Sequence, residues 1–303
     1  MGLHIALLAA AARLHRKRHG NARAQRRLRP ICRNHRAELT YRSGLLQLVR
    51  RCRELINGSI GQLQVYWPRP TSADGIRATD SLPPSLQQLI GKAKTRLGDL
   101  DGWAKRMAVI AVQANKASVD KRLAAEIHKA IGVDVLHILQ ANGQLLQSMT
   151  TATRDNVALI KSIPGQYFER VAGTISEAWT QGLRWESMVE QIQRDGDITE
   201  NRAKLIARDQ TSKMNAAFNQ QRQQQVGIER FEWSTSEDER VRESHAELDG
   251  KTFDWDSPPT VDGEVATPGT PINCRCVALP IVDMEVLGEA AGSAEQEQER
   301  VAA

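Results

Sequence analysis

The fold class is decided in residues 199–235, which read TENRAKLIARDQTSKMNAAFNQQRQQQVGIERFEWST. Up to Gly227, apolar side chains recur at helical spacing. Thr199 is a favourable N-cap and Gly227 a favourable C-terminal stop, so we predict a helix over residues 200–225. The apolar face of this helix consists of Ala203, Ile206, Ala207, Met214 and Phe218.

Beyond Gly227 the pattern changes to an alternation typical of a half-buried strand, with Phe231 and Trp233 on one side. Further strands are predicted over residues 252–255 and 274–282, with a short helix over 238–249 between the first two strands. On the N-terminal side, residues 85–227 have few aromatic residues and few prolines, which favours helices. Pro164 is expected to restart the chain between two of them. These patterns together predict an α+β fold, with a mostly α-helical N-terminal body and a small mixed α+β C-terminal module.

The domain organisation follows from the same changes in composition. We predict a basic helical arm over residues 1–65, a linker rich in Pro and turn residues over 66–84, a helical body over 85–227 and an α+β module over 228–282. Residues 283–303 are acidic and rich in small residues, and we expect a disordered tail there.

Charge is distributed unevenly along the chain. Of 41 basic and 36 acidic residues, 14 basic residues and one acid lie in residues 1–53, which gives that segment a net charge of +13 and the remainder −8. A basic segment of this kind indicates contact with a polyanion or with an acidic protein surface. The arginines and lysine that we expect to make this contact are Arg16, Lys17, Arg18, Arg23, Arg26, Arg27, Arg29, Arg33 and Arg36.

Composition also excludes several classes of protein. The longest apolar run, residues 5–12, is far shorter than the roughly 20 residues that a membrane-spanning helix needs. The positive charge follows this run rather than preceding it, so we expect neither a secretory signal nor membrane association. Four cysteines in 303 residues are too few for a disulfide scaffold and favour a reducing compartment.

The candidate chemistry lies between Trp233 and Cys276. On the predicted helix, a step of 100° per residue directs His245 toward the protein interior and allows Asp238 to pair with Arg242. In an extended strand, Cys274 and Cys276 face the same way, and Arg275 faces the opposite way.

Three interpretations of this region compete. His245, Cys274 and Cys276 could bind zinc, with Asp238 or Asp249 as a fourth ligand. Alternatively, His245 could act as a general acid or base, with Arg240 and Arg242 binding an anion, as in a nuclease or transferase. The third interpretation is structural: the histidine forms hydrogen bonds within the fold, and the cysteines are buried as small apolar groups.

The spacing of these residues resembles the C-terminal signature of the phage Mu F-like, or phage head morphogenesis, minor capsid protein family. The resemblance covers about residues 160–282, and residues 202–210 also resemble the family's long helix. The positions of this sequence that match the signature are Trp233, Asp238, Arg240, Arg242, His245, Asp249, Gly250, Asn273, Cys274, Arg275 and Cys276.

This resemblance implies a structural minor head protein of a tailed bacteriophage rather than an enzyme. It implies a place at the portal vertex inside the capsid, after assembly in the host cytoplasm. The implied partners are the phage portal protein, the major capsid or scaffold protein and packaged double-stranded DNA. The basic arm lies outside the resemblance, and DNA contact is expected there because arginine-rich segments bind phosphates with little sequence preference.

Overall fold

The structure is a computed structural model that describes residues 25–65, 67, 85–141 and 145–283. In chain order these residues form strand β1, helices α1 to α6, strand β2, the short helix α7 and strands β3 to β6. The bounds are β1 Gln25–Arg27, α1 His35–Gln64, α2 Ser85–Arg96, α3 Leu100–Ile131, α4 Leu136–Ala141, α5 Leu146–Thr180, α6 Trp185–Gln225, β2 Arg230–Ser234, α7 Glu243–Ala246, β3 Thr252–Asp254, β4 Thr260–Val261, β5 Glu264–Val265 and β6 Val277–Asp283. The predicted α+β class, with helices first and a small sheet at the C-terminal end, is confirmed.

The main sheet has the strand order β1-β6-β2-β3, and all its neighbouring strands are antiparallel. Its two central strands, β2 and β6, pair over five positions, from Arg230 opposite Ile281 to Ser234 opposite Val277. Strands β4 and β5 form a separate two-stranded ribbon. The strands predicted around Phe231 and Phe253 are therefore present, and the third begins at Val277, just after the two cysteines.

The chain divides into two compact units. The first, here called the sheet-bearing unit, takes its described residues from Met1–Ala37, Val112–Ala152 and Asp209–Ala303. The second, here called the helical unit, takes them from Glu38–Ala111 and Thr153–Arg208. Helices α1, α3, α5 and α6 contribute residues to both units.

The helical unit is held together mainly by apolar contacts. Helix α5 buries a stripe that includes Ile160, Tyr167, Val171 and Ile175. The ring of Trp67 makes edge contacts with Trp179 and Trp185 at centroid distances of 5.3 and 5.5 Å, and its indole N–H donates to the carbonyl of Leu183. This burial follows the 3.6-residue period of the sequence, as expected for helices packed around one core.

The sheet-bearing unit has a smaller core around its sheet. It contains aromatic residues of β2 and the segment after β3, together with both cysteines of the C-terminal motif: Phe231, Trp233, Trp255, Val261, Ala266, Cys274, Cys276 and Ala278. The rings of Phe231 and Trp255 stack with centroids 4.1 Å apart. The two thiols are therefore part of a packed apolar core as well as of a polar cluster.

Two predicted helix boundaries are wrong. Pro164 lies inside α5, which continues because its neighbours Ile163 and Tyr167 are buried, and tertiary packing outweighs the missing N–H of proline. Thr199 does not begin a helix, because α6 already starts at Trp185 and the Thr199 hydroxyl donates back to the carbonyl of Asp195, at 2.8 Å. A Cβ atom added at Gly196, within the same helix, would lie 2.9 Å from the Nε atom of Arg53, so a larger residue there would require the Arg53 side chain to shift.

The expectation of helix throughout the basic N-terminal segment is also wrong in part. Residues 25–27 form strand β1, which pairs with β6 from Gln25 opposite Asp283 to Arg27 opposite Ile281. These residues form a strand because their backbone pairs with the distant strand β6. A segment of only three residues is too short for its sequence pattern to predict a strand. Helix α1 then begins at His35.

Some predicted segments lie outside the described residues. They are residues 1–24 of the arm, the linker over 66–84 apart from Trp67, and the tail after Asp283. Among the described helices, none combines the length and apolarity that crossing a bilayer would require.

Candidate functional site: a histidine and two cysteines

His245, Cys274 and Cys276 converge within the sheet-bearing unit. The Nδ1 atom of His245 lies 3.5 Å from the Sγ atom of Cys274 and 3.5 Å from that of Cys276. The three potential ligand atoms all lie within 4.8 Å of one another. The exposed fractions of the three residues are only 2, 5 and 5 %. The sequence-based expectation that His245 points into the protein is confirmed.

The histidine is positioned by a segment that is mostly irregular. The predicted helix over residues 238–249 is reduced to α7, Glu243–Ala246, because Asp238 forms a turn of its own: its carboxylate accepts the backbone N–H of Arg240 at 3.0 Å. Arg242, immediately before α7, has an extended backbone. The imidazole ring then packs edge-on against Trp233, with centroids 5.6 Å apart.

Three hydrogen bonds join the two ends of the loop that carries α7. The N–H of Gly250 donates to the carbonyl of Trp233, and the N–H of Trp233 donates to the carbonyl of Lys251, both at 2.8 Å. The carboxylate of Asp249 accepts the N–H of Thr235 at 2.7 Å. Signature positions 233, 249 and 250 thus fix both ends of the loop to β2.

The cysteines are positioned by a tight turn before β6. Asn273 has a positive φ of 60°, and the N–H of Cys274 donates to the carbonyl of Pro271 at 3.0 Å. The carbonyl of Cys274 accepts the hydroxyl of Ser212, on α6, at 3.4 Å. The turn, rather than an extended strand, brings both thiols to the same side.

Two arginines tie the cysteine turn to the histidine loop. Arg242 donates to the carbonyl of Ile272 at 2.9 Å, and Arg275 forms an ion pair with Asp238. The predicted pair between Asp238 and Arg242 is therefore wrong, because the helix that would have placed them four residues apart on one face does not form. Neither Asp238 nor Asp249 joins the histidine and cysteines among the described residues, so the carboxylate ligand considered from the sequence is not part of this cluster.

The two thiols have different proton affinities. A hydrogen bond with Cys276 stabilises the sulfur of Cys274 as an acceptor and lowers the pKa of Cys274 to about 6. The same hydrogen bond, reinforced by burial, raises the pKa of Cys276. The hydrogen bond thus favours the thiolate form at Cys274 and the thiol form at Cys276.

Two cavities adjoin this cluster. The smaller, of about 60 Å³, is bordered by the three cluster residues and by Arg240, Arg242 and Arg275. The larger, of about 150 Å³, is bordered by Cys276 and by Ser212, Asn215 and Asn219 of α6. Cys276 lies between the two cavities.

The geometry does not favour His245 as a general acid or base. Such a group must come within hydrogen-bond reach of its substrate. Its Nδ1 atom faces two sulfurs, and its Nε2 atom is fully buried without a hydrogen-bond partner among the described residues. Arg240 is exposed beside the small cavity, whereas Arg242 is already bound to a backbone carbonyl.

Of the arginines that we predicted to bind a polyanion, some of those that the structure describes are bound to other groups of the protein, and others are exposed or half-buried. Arg26 donates to the carbonyl of Ala130, and Arg27 pairs with Glu232 at 2.7 Å. Arg29 and Arg36 are exposed and Arg33 is half-buried. Residues 16, 17, 18 and 23 lie outside the described residues.

Sequence reasoning missed a buried polar network on α6. Arg222 and Asp120 are both fully buried and form a two-point ion pair, with Nε to Oδ1 at 2.7 Å. Gln223 accepts the indole N–H of Trp255 at 3.2 Å and donates to Asn219 at 3.0 Å. The available signal was the position of Arg222, four residues after Phe218 and therefore on the buried side of the predicted helix.

Comparison with known proteins finds a family model that is similar to this region. Residues 169–279 match the family model described as phage Mu protein F like protein. An uncharacterized protein of Haemophilus influenzae (strain ATCC 51907 / DSM 11121 / KW20 / Rd) is 33 % identical over 258 residues, which is 85 % of this chain and 56 % of the relative. The chain thus spans about half the length of that curated relative. No solved structure gives a significant match to this chain.

Proposed function

We propose that this chain, whose residues 169–279 belong to the phage Mu protein F like family, is a structural minor head protein that acts at the portal vertex during bacteriophage head morphogenesis. The family match carries this proposal. It begins within α5, includes all of α6 and ends in β6, so it covers the long helix, the histidine–cysteine cluster and most of the sheet.

The construction of the cluster supports a structural role over the enzymatic alternative. Its histidine and cysteines are buried within a packed core, and its arginines bind groups of the same fold. Such interactions stabilise a loop against a sheet, whereas a nuclease or transferase needs its proton-transfer group open to substrate. The family is likewise one of phage head proteins, for which the bacteriophage virion is the expected location.

The portal partnership is tested by assembling heads with and without the portal protein. The full chain is co-expressed with the portal, scaffold and major capsid proteins of the same phage, and particles are purified by sedimentation. We expect the chain in portal-containing heads, detected by mass spectrometry, and its loss from heads assembled without portal. Equal incorporation in both particles would show that the partner is the capsid or scaffold protein instead.

Contact with packaged DNA is the second part of the proposal, and it concentrates on residues 1–24. This stretch contains five basic residues and no acid: Arg13, Arg16, Lys17, Arg18 and Arg23. Removing residues 1–53 is not a suitable test, because it would delete β1 and most of α1. Residues Leu45, Val49 and Cys52 of α1 are buried, so such a deletion would remove part of the core.

We therefore design the DNA test as a charge substitution. Replacing the five basic residues of segment 1–24 by Gln should weaken binding of double-stranded DNA and reduce the slope of log affinity against log salt by about 4.5 at most. The matched control replaces five exposed basic residues elsewhere by Gln: Lys105, Arg106, Lys121, Lys129 and Arg154. Equal slopes for the two variants would contradict a specific role for the N-terminal segment.

A further inference from the structure

We propose that His245, Cys274 and Cys276 form a zinc site that fastens the α7 loop to the turn before β6. His245 precedes Cys274 by 29 residues and Cys276 by 31 residues in the sequence, and the three side chains converge at one point. This site extends beyond the proposed role in head assembly and does not depend on it.

The distances fit a metal ion. Zinc lies about 2.3 Å from cysteine sulfur and about 2.0–2.1 Å from histidine nitrogen, so tetrahedral geometry separates sulfur from nitrogen by about 3.5 Å. Both sulfurs are 3.5 Å from the Nδ1 atom of His245. A neutral imidazole nitrogen has one lone pair or one hydrogen, so it can make only one good hydrogen bond to two equidistant sulfurs. A shared ion satisfies both.

The donor set selects zinc over the hard cations. Thiolates and imidazole are ligands for Zn²⁺, whereas Mg²⁺ and Ca²⁺ need carboxylate and carbonyl oxygens. All three residues are buried, so the protein ligands themselves are shielded from bulk water. The cluster also contains no carboxylate among the described residues, which leaves two sulfurs and one nitrogen as the protein ligands.

The site is held in place without the metal. Arg242 joins the histidine loop to the carbonyl of Ile272, and Arg275 joins the cysteine turn to Asp238. The ring of Trp233 packs in an edge-to-face arrangement with the imidazole of His245, and this contact fixes the plane of the imidazole. Such supporting contacts reduce the ordering cost of binding, because the ligands are already oriented.

The fourth ligand is a water molecule in the small cavity. This cavity has a volume of about 60 Å³ and is bordered by all three protein ligands. A water molecule needs roughly 10–15 Å³ of such space, so the cavity can hold one or more. The ion would thus have three protein ligands and one water, with Arg240, Arg242 and Arg275 around the open side.

The first test measures metal in the full-length protein. Protein purified without an affinity tag that binds metals should contain about one zinc ion per chain by elemental mass spectrometry. After exchange into Co²⁺, it should show the visible absorption of tetrahedral cobalt and a thiolate-to-metal charge-transfer band. Folded protein with neither stoichiometric zinc nor these cobalt bands would overturn the proposal, as would a disulfide between Cys274 and Cys276 in the purified chain.

The second test uses matched variants. Cys276→Ser and His245→Ala should lose most of the bound zinc, whereas Cys32→Ser, which changes an exposed free cysteine outside the cluster, should keep about one ion per chain. His245→Cys replaces the imidazole by a third thiolate and should keep zinc. After exchange into Co²⁺, this variant should show a stronger thiolate-to-cobalt charge-transfer band than the unaltered protein. Loss of zinc from Cys32→Ser, or full retention in Cys276→Ser, would refute this assignment of ligands.

Discussion

Two ion pairs of similar length show how differently the two compact units are stabilised. In the sheet-bearing unit, Arg222 and Asp120 meet at 2.7 Å with both side chains fully buried. In the helical unit, Lys161 and Asp101 meet at 2.5 Å with 46 and 66 % of their side chains exposed. The distances alone would rank the two pairs as equals.

Burial decides what each pair contributes. Water screens the exposed pair, and such pairs contribute little to stability. The buried pair has lost its hydration, so each partner depends on the other and on the neighbouring polar groups. Asp120 also accepts from Lys116 at 2.6 Å, and Arg222 donates to Gln225 at 2.6 Å, which satisfies the remaining polar atoms. The helical unit also has a buried carboxylate, Asp195, but the side chain of its partner Arg170 remains 31 % exposed, so that pair is not cut off from water on both sides.

The largest expected effect comes from breaking the buried pair. Asp120→Ala leaves the guanidinium of Arg222 buried beside no carboxylate, and we expect the free energy of unfolding to fall by about 3–5 kcal/mol. Urea denaturation followed by circular dichroism measures this loss. A double variant, Asp120→Leu with Arg222→Met, removes both charges and should recover most of the stability. A loss below about 1 kcal/mol for the single variant would show that the pair is not buried in solution.

A change in stability of intermediate size is expected when one glycine in each unit is replaced by alanine, and the sign should differ between the two units. Gly250 has a φ of 73° and open space around the position of an added Cβ, so Gly250→Ala should cost about 1–2 kcal/mol from backbone strain alone. Gly173 is exposed within helix α5, also with open space, and Gly173→Ala should stabilise the protein by about 0.5–1 kcal/mol. Thermal unfolding of both variants checks the opposite signs. A change in melting temperature in the same direction for both variants would contradict this difference between the two backbone positions.

The smallest effect is expected at the exposed pair. The hydrogen bond from Lys161 lowers the pKa of Asp101, so Lys161→Ala should raise that pKa toward its ordinary value, as measured by nuclear magnetic resonance titration. A carboxyl whose pKa is lowered by folding stabilises the folded state above its unfolded pKa and loses this contribution as the pH falls through the folded pKa. Because both side chains are exposed, we expect no measurable change in melting temperature at neutral pH. A clear drop in melting temperature there would contradict this view of the pair.

Regular elements were predictable where side-chain periodicity alone specifies them. The face of α6 that includes Ala203, Met214 and Phe218 is buried as predicted, and the alternation of Phe231 and Trp233 gives strand β2. The errors at Pro164 and Thr199 have the opposite origin. Local signals favoured an interruption at both positions. At Pro164, the burial of neighbouring side chains kept the helix continuous, and at Thr199 the hydroxyl donates to the carbonyl of Asp195 within the same helix.

The site divides in the same way. The sequence indicated that His245 points inward and that Cys274 and Cys276 share one side, and the structure confirms their convergence. It gave the wrong partner for Asp238, because the pairing with Arg242 assumed a full helix over residues 238–249. The side chain of Asp238 instead forms a turn with Arg240 and pairs with Arg275, 37 residues away.

The amino-acid sequence by itself determined the α+β class and the apolar faces of the long helices, because these depend on the spacing of residues within local segments. The sequence also carries the similarity of residues 169–279 to the phage Mu protein F like family. Only the tertiary structure decided that β1 pairs with β6, that Asp120 is buried against Arg222, and that the histidine and both thiols meet within 4.8 Å. These contacts join residues far apart in the chain, and their geometry depends on turns and packing that no local pattern encodes.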